Sequence, residues 1–486
     1  MKNFIFFIIS DAKKIVNKSI PVDVMKAKSV FLWLLFFYLL FFGTVVFSGY
    51  EYLDDRMRAY FNYYYWNVEG RYFLYFFYKF FSLDGVLRSI WPIGQVVSIM
   101  IMPFIGISLL IIRKLSKPEI IILSLSIFCN PLFLENISYH FDAVGMVLAA
   151  ITAVFSALLI IWHKGILYYA IALIALSFSL FCYQISINIF ACVFFPLLVF
   201  VAATRDTLYA IKKLMICLII LALSIIVYEV AVSFSFLFSH NQRNFEVVFS
   251  IYSVKDIFIS VLRFYSYILS WCGKKYLLAF SILWGLLLFV PVYCKKSTLN
   301  FFVSSIFSIL SIASIMGPML ILSDIPVWPR IYMGVGAAIF SCSLVVILVY
   351  KKIIKMVVFF TLIIMFIYSL KMSLIYGNLL ISQKSYENFY LHKIVDEVNH
   401  EYYINNVSEL RINKKLPRDV LVEKAAREIP LIDKLISSPV DNKWLWINNS
   451  LYEFGLNKNI VISTKENTDC SSSKEIFICK GAIYYK

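Results

Sequence analysis

The chain has 486 residues, of which 61% are hydrophobic and 15% are charged. Roughly a quarter of the residues of a soluble globular protein are charged, so this composition excludes that class and indicates a polytopic membrane protein. The net charge of +16 does not indicate a nucleic-acid surface, because residues 377–486 hold 15 Lys and Arg against 14 Asp and Glu, and the excess lies in the apolar part.

Apolar segments of about 20 residues mark candidate membrane spans. They are residues 30–48, 91–112, 119–134, 143–162, 166–183, 187–203, 214–237, 276–293, 301–322, 332–350 and 356–376. The sequence therefore predicts an all-α membrane protein with about eleven spans. Residues 257–271 are apolar but short for a span, and a crossing there would move the C-terminal tail to the other side of the membrane.

Basic residues recur at every second turn between the spans, and the positive-inside rule assigns those turns to the cytoplasm. They are Arg113, Lys114, Lys117, His163, Lys164, Arg205, Lys212, Lys213, Lys295, Lys296, Lys351, Lys352 and Lys355. Residues 1–28 are also basic, and we expect them to be cytoplasmic or interfacial. The loop 49–90 and the tail 377–486 are then predicted to face the periplasm.

Charged side chains interrupt the apolar sequence directly after the first span. They are Glu51, Asp54, Asp55, Arg56, Arg58, Glu69 and Arg71. Carboxylates at the mouth of a span are unfavourable unless they are solvated, paired or bound to something, so we interpret this group as a functional site. Adjacent acids differ in proton affinity, which suits a general base or a cation ligand. The alternative is a solvated loop whose acids only pair with Arg56 and Arg58.

An aromatic run at residues 72–87 follows, and it predicts one or two helices lying along the outer leaflet. The alternative is a second span that begins near Tyr72. Farther along, Asn130 and Pro131 predict a break in the third span.

Polar residues cluster at three later outer turns. They are Glu135, Asn136, Tyr139, His140 and Asp142; Tyr183, Gln184 and Asn188; and Arg330. Carboxylates, amides and tyrosine suit a sugar, and arginine suits a phosphate. A metal site at His140 and Asp142 is a weak alternative, because few other His or Cys residues are near. Helix packing is an equal alternative for Tyr183, Gln184 and Asn188.

The tail 377–486 changes to a mixed composition and predicts a small α/β domain. Apolar spacing predicts a helix near residues 386–403, and residues 459–464 and 474–480 have the pattern of short strands. Cys470 and Cys479 are predicted to form a disulfide or to remain two free thiols. The aromatic residues Trp444, Trp446, Tyr452 and Phe454 could stack on a sugar or form the domain core.

Five motifs occur in order along the chain. They are D-D-x-x-R at Asp54, Asp55 and Arg58 with Trp66, Gly70 and Arg71; N-P-x-x-x-E-N-x-S-Y-x-F-D at residues 130–142; Y-Q-x-S-I-N at residues 183–188; Pro329 with Arg330; and Y-G-N at residues 376–378. In these motifs the chain resembles the serotype-converting O-antigen glucosyltransferases of bacteria and their prophages, the GtrII group of polyprenol-dependent enzymes with GT-C architecture. It departs from them in the Tyr-rich run before Trp66, where relatives tend to carry glycine, and this leaves the acceptor sugar open.

The resemblance implies inverting transfer of glucose from undecaprenyl phosphate glucose to an O-antigen sugar, usually rhamnose, at the periplasmic side of the inner membrane. The expected residues are Asp54 or Asp55, with Glu51, at the base; Arg58, Arg71 and Arg330 at the donor phosphate; and Trp66, Glu135, Asn136, Tyr139, His140, Asp142, Tyr183, Gln184 and Asn188 at the sugars. No cofactor is expected, although a divalent cation at the acidic pair stays an alternative.

The expected partners are the lipid bilayer, a glucosyltransferase that makes the donor and a flippase for the lipid-linked glucose. The rival interpretations are a flippase or other transporter, and an O-antigen ligase or polymerase. Residues 29–376 are predicted to form the catalytic membrane domain.

Overall fold

The computed structural model describes residues 24–485 with several gaps. The gaps are residues 53, 83, 113, 237–253, 295–296, 318, 320–326, 407–408, 413–414, 441–447, 464–475 and 480–481. The predictions for residues 1–23, Trp444, Trp446 and Cys470 lie outside the described residues, as does the side chain of Cys479.

The described part of the chain is mostly helical. Its helices are α1 (Val24–Phe47), α2 (Asp54–Phe61), α3 (Tyr72–Phe81), α4 (Ile93–Ile101), α5 (Phe104–Leu109), α6 (Lys117–Phe128), α7 (Leu134–Ser138), α8 (Ala143–Trp162), α9 (Ile166–Cys182), α10 (Ser186–Thr204), α11 (Thr207–Phe236), α12 (Val254–Trp271), α13 (Lys274–Tyr293), α14 (Thr298–Met316), α15 (Gly334–Val349), α16 (Lys352–Asn405), α17 (Val420–Glu428), α18 (Pro430–Leu435) and α19 (Ser450–Glu453), with 3₁₀ turns at Pro131–Phe133 and Pro329–Met333.

Within the described ranges, 8 helices are long and apolar enough to cross a membrane, or up to 9 if the bent pair α6–α7 is one span. The shorter apolar helices Ile93–Leu109 and Ile166–Cys182 match two further predicted segments. Each predicted apolar segment therefore coincides with a helix or a broken helix, while the number of crossings stays a prediction. The helix α12 is not among the 8.

The third predicted span shows how the sequence sets a local break. The helix α6 begins at a capping box, in which Ser116 and Glu119 satisfy each other's backbone N–H groups. It ends at Phe128; Asn130 is extended (φ −127°, ψ 153°), and Pro131 begins a 3₁₀ turn. The second half is bent by 52° from the first. The predicted break is confirmed, and it turns the residues after Pro131 inward.

The aromatic run forms the separate helix α3, which has 10 residues and is too short to span. Residues 82–92 separate it from α4, so the alternative of a second span beginning near Tyr72 is wrong. Phe76 and Phe80 are exposed on α3, as expected for a helix beside lipid.

Burial divides the long helices into an interior and a periphery. In the most apolar 18 residues of each helix, the buried share is 83% in α8 and 94% in Pro329–Val349, but only 17% in α11. Helices that are buried all round lie inside a bundle, and those with exposed apolar sides face lipid. α8, α10 and α15 therefore form the centre of the membrane part.

The long helix α16 carries the chain from the membrane part into the tail without a break. Its 54 residues span about 80 Å at 1.5 Å per residue, far more than a bilayer core. The predicted domain boundary at residue 377 falls inside it. Its last part packs Leu391, Ile394 and Val398 against the tail core, while Phe389 is exposed.

The tail contains a four-stranded mixed sheet. Its strands are β1 (Glu409–Ile412), β2 (Val461–Ser463), β3 (Ile476–Cys479) and β4 (Ala482–Tyr485). The order is β2-β1-β4-β3, with β1 parallel to β2 and β4, and β3 antiparallel to β4. Both predicted strands, at residues 459–464 and 474–480, are confirmed.

The tail docks on the loop 49–90. The rings of Tyr60 on α2 and Tyr452 on α19 are stacked with centroids 6.2 Å apart. The helix α18 contributes Leu431 and Leu435 to the same apolar core as the membrane helices. The tail and the loop 49–90 therefore lie on the same side of the membrane part.

Candidate functional site

The helix α2 follows the C-terminal end of α1 and carries the acidic pair in its first turn. Asp55 is buried, and its carboxylate accepts hydrogen bonds from the backbone N–H groups of His140 (2.7 Å) and Phe141 (3.3 Å). Burial raises the pKa of Asp55 well above its ordinary value, although these two hydrogen bonds lower it. Asp55 thus fixes the turn after α7 against α2, and both of its oxygens are occupied.

Asp54 has a different environment from its neighbour. It is half-buried, and its carboxylate has no hydrogen bond or ion pair with any residue that the structure describes. Arg58 lies one turn later on the same face of α2. The charge of Asp54 acts through space on Arg58, Arg71 and Glu135. It is therefore the free carboxylate of the pair.

Two arginines and two acids near Asp54 form a group that we call the arginine cluster, in which Arg58 and Asp142 are buried and Glu69 and Arg71 are partly buried. Asp142 Oδ2 lies 3.5 Å from Arg71 Nη1 and 3.9 Å from Arg58 Nη2. Glu69 Oε2 lies 3.5 Å from each guanidinium group. Trp66 Nε1 donates to Asp142 Oδ1 at 2.7 Å. The first loop and the turn before α8 are joined by these contacts.

Three hydrogen-bond donor atoms of the arginine cluster have no acceptor among the described residues. Arg58 Nε and Nη1 and Arg71 Nε are buried without a hydrogen-bond acceptor in the part of the chain that the structure describes. Burial lowers the pKa of Arg71, but Glu69 and Asp142 more than offset this, so the pKa is raised and the group stays charged. The Arg71 guanidinium carbon lies 5.1 Å from the centre of the Tyr183 ring. Charged donors without acceptors suit a phosphate group.

Gly70 precedes Arg71 for a steric reason. Its φ is 72°, a backbone conformation that glycine adopts without strain, and an added Cβ would overlap the Tyr228 hydroxyl. That hydroxyl accepts a hydrogen bond from Gln184 Nε2 at 2.7 Å, and Gln184 also donates to the Glu69 carbonyl. Gln184 and Tyr228 thereby hold the loop that presents Arg71.

A second set of hydrogen bonds joins the helix α7 to the 3₁₀ turn Pro329–Met333. Glu135 is fully buried and accepts from the Arg330 backbone N–H (2.7 Å), Arg330 Nη1 (3.4 Å) and the Tyr139 hydroxyl (3.4 Å). Asn136 Nδ2 donates to the Arg330 carbonyl at 3.3 Å. The guanidinium of Arg330 lies 5.3 Å from the centre of the Tyr139 ring. The sequence motifs at residues 130–142 and 329–330 are therefore one structural unit.

A model of the family described as Glucosyl transferase GtrII matches residues 43–341, more than half of the chain. This chain belongs to the GtrII glucosyl transferase family. The GtrII-family protein is thus a membrane glycosyltransferase, and the resemblance found in the sequence motifs is confirmed. The matched residues include the whole arginine cluster, Asp54 and the Glu135–Arg330 unit.

This chain is also similar to a protein of Salmonella phage P22 that is described as an uncharacterized 55.3 kDa protein in the gtrB 5′ region. The two are 24% identical over 445 residues, which cover 85% of this chain and 88% of the phage protein. No solved structure matches the chain.

The structure separates the predicted site residues into groups. Trp66 is fully buried against Tyr78 and Phe141, so its ring supports Arg58 and Asp142 and exposes no face. Glu51 pairs with Arg56 at 3.2 Å, outside the arginine cluster. Other predicted residues lie in further groups: His140 lines a separate cavity, and Asn188 packs against Gly317 and Gly334.

Three charged residues in or beside the candidate site, Arg56, Glu69 and Glu387, were not predicted as site residues from the sequence. Glu387 on α16 is buried, accepts from the Tyr50 hydroxyl at 2.7 Å and lies 3.5 Å from Arg56. Arg56 and Glu69 were visible as charges beside the acidic pair, but their partners were not. The available signal for Glu387 was its place one turn after Gln383, in the stretch that follows the last predicted span.

Proposed function

We propose that this protein transfers a glucosyl residue from undecaprenyl phosphate glucose to a sugar of the O-antigen repeat, by a single inverting displacement with Asp54 as general base. The acceptor hydroxyl oxygen attacks C1 of glucose and gives its proton to the Asp54 carboxylate. The C1–O bond to phosphate breaks, and its electron pair leaves with the polyprenyl phosphate. One carboxylate suffices for inversion when the base and the leaving group lie on opposite faces of the sugar.

The free carboxylate of Asp54, set beside buried arginine donors without acceptors, is the observation that carries this proposal. Asp55 is a poorer base, because both of its oxygens accept backbone hydrogen bonds. Arg58 and Arg71 would bind the donor phosphate and stabilise the charge that develops on it. Arg330 is a poorer candidate for this role, since its guanidinium pairs with Glu135 and none of its donors is buried without an acceptor among the described residues.

Glu69 and Asp142 would keep Arg58 and Arg71 ionised and oriented. Charged groups that are fixed in advance need no reorganisation during the reaction, which is the main source of electrostatic catalysis. We assign the neutralisation of the phosphate to these arginines and expect no cofactor, so chelation of divalent cations should leave the transfer rate unchanged.

A polyprenyl donor explains a site at a span mouth. Its phosphate stays at the membrane surface, so the groups that bind it must lie there as well. We place this surface on the periplasmic side of the inner membrane, from the pattern of basic turns. A donor-synthesising glucosyltransferase and a flippase would supply the lipid-linked glucose.

Comparison of Asp54→Asn with Asp55→Asn tests the proposal. With purified protein, undecaprenyl phosphate glucose and O-antigen polysaccharide, Asp54→Asn should lower kcat at least about a hundredfold, the range for loss of a general base, with an unchanged melting temperature. Asp55→Asn should lower the melting temperature, because an amide meets two backbone N–H groups. Transfer by Asp54→Asn at the wild-type rate would refute the assignment.

A further inference from the structure

A cavity of about 440 Å³ lies between the first outer loop, α16 and the tail. This volume is within the range of ligand-binding pockets. Its lining comes from three parts of the chain: Gly49, Glu51, Arg56, Ser89, Trp91 and His140 from the membrane part; Lys384, Asn388 and His392 from α16; and Glu453 and Phe454 from the tail. We call it the loop–tail cavity.

The charges that line the loop–tail cavity nearly balance one another. Arg56 Nε lies 3.2 Å from a carboxylate oxygen of Glu51 and 3.2 Å from one of Glu453. Lys384 Nζ donates to the Gly49 carbonyl at 2.6 Å. Two acids and two bases balance when both acids are ionised, and because burial raises the pKa of Glu453 to about 7, the cavity carries less than one positive charge at neutral pH. So small a charge does not mark it as a site for a phosphate, a nucleic acid or an acidic peptide. Its chemistry suits a neutral ligand with many hydroxyl groups.

One wall of the loop–tail cavity is a row of polar side chains along α16. Lys384, Asn388 and His392 follow one another at intervals of four residues, so they share a helix face. Asn388 is exposed, and its amide has no hydrogen bond among the residues that the structure describes. An amide supplies two donors and an acceptor, which match sugar hydroxyls.

The aromatic ring of Trp91, directly after the loop 49–90, also lines the loop–tail cavity. The Trp91 side chain is 41% exposed, and its Nε1 donates to the Val46 carbonyl at 2.8 Å, which fixes the ring. The ring is stacked on His140 with centroids 6.2 Å apart. Burial lowers the pKa of His140 to about 4, so this imidazole is neutral beside the indole. An indole is a stacking platform for the apolar face of a sugar.

We propose that the loop–tail cavity binds a segment of the acceptor polysaccharide next to the sugar that receives glucose. Arg56 lines this cavity. Asp54 lies two residues earlier, about 200° around α2, and its charge acts on Arg58, so we place it on the other side of the helix, toward the arginine cluster. A helix is about 10–12 Å across, so a short oligosaccharide reaches from the cavity to Asp54. The inference rests on the proposed function, because it names the binding site of that reaction's acceptor.

The test uses the full-length protein in nanodiscs, with undecaprenyl phosphate glucose and purified O-antigen polysaccharide. The variants are Trp91→Ala and the double variant Asn388→Ala with His392→Ala; Ser385→Ala, exposed on α16 outside the cavity, is the control. The KM for polysaccharide should rise roughly tenfold in the double variant, as expected for one or two lost hydrogen bonds. The KM for the donor, and kcat at saturating polysaccharide, should match those of Ser385→Ala.

Calorimetric titration of polysaccharide into Asp54→Asn protein separates this inference from the proposed function. Binding should persist in Asp54→Asn and weaken roughly tenfold when the two α16 substitutions are added. A wild-type protein that binds polysaccharide but transfers no glucose would overturn the proposed function alone. Wild-type transfer combined with an unchanged polysaccharide KM and affinity in the folded double variant would overturn the loop–tail cavity as the acceptor site.

Discussion

Arg56 is the residue whose removal should most weaken the docking of the tail on the membrane part. It is buried and lies within 3.5 Å of an oxygen of Glu387 and 3.2 Å of oxygens of Glu51 and Glu453. Its guanidinium carbon also lies 5.1 Å from the centre of the Phe454 ring. One cation thus joins the first loop, α16 and the tail, and Arg56→Met leaves the three carboxylates without it.

The largest part of the loss comes from Glu387, whose side chain is only 1% exposed. Removing one partner of a buried ion pair costs about 3–5 kcal/mol. We expect the lower end, because the Tyr50 hydroxyl and Gln383 Nε2 still donate to Glu387. The side chains of Glu51 and Glu453 are 31% and 34% exposed, and solvent limits their pairs to about 1 kcal/mol or less.

Thermal unfolding of the purified protein in detergent measures this effect, and limited proteolysis reports the release of the tail. Arg56→Met should melt several degrees lower, and its tail should be cut sooner. Adding Glu387→Gln should restore most of the melting temperature, because the double variant no longer buries an unpaired charge. Arg411→Met is the control, because Arg411 pairs at 2.8 Å with Glu409, whose side chain is more exposed than that of Glu387.

The reasoning would be refuted by an Arg56→Met protein that melts and is cleaved like Arg411→Met. It would equally be refuted if Glu387→Gln, added to Arg56→Met, destabilised the protein further. In that case Glu387 would be stabilised chiefly by Tyr50 and Gln383, and Arg56 would contribute only as a partly solvated charge.

Three further predictions concern the loop that presents Arg71, the buried His140 and the orientation of the tail. Gly70→Ala should lower the transfer rate through displaced Arg71 while the protein still inserts, whereas Gly85→Ala, also at positive φ but in open space, should lower only the melting temperature. Burial lowers the pKa of His140 from its ordinary 6.5 to about 4 in the folded protein. As the pH falls between these values, the unfolded chain takes up the proton first, so up to about 3 kcal/mol of folding stability should be lost. The variant His140→Asn lacks this proton, and its melting temperature should change less between pH 7 and pH 5. A periplasm-active reporter fused after Lys486 should be active, and activity of a cytoplasmic reporter there would contradict the proposed orientation.

The membrane helices could be predicted because their cause is local. A membrane-spanning helix requires about 20 consecutive apolar residues, with the backbone hydrogen bonds satisfied inside the helix. Each span is therefore determined by one continuous segment of the sequence. The break at Pro131 is equally local, since proline has no backbone N–H. The positions of the charged motifs at helix ends could be read in the same way.

The different environments of Asp54 and Asp55 were decided only by the tertiary structure. The two residues are chemically identical neighbours, and what separates them is the backbone of His140 and Phe141, which packs against one of them. Likewise, the pairing of Arg71 with Asp142 joins residues far apart in sequence. Which donors find acceptors depends on how the helices pack, and a single sequence does not contain that information in any one segment.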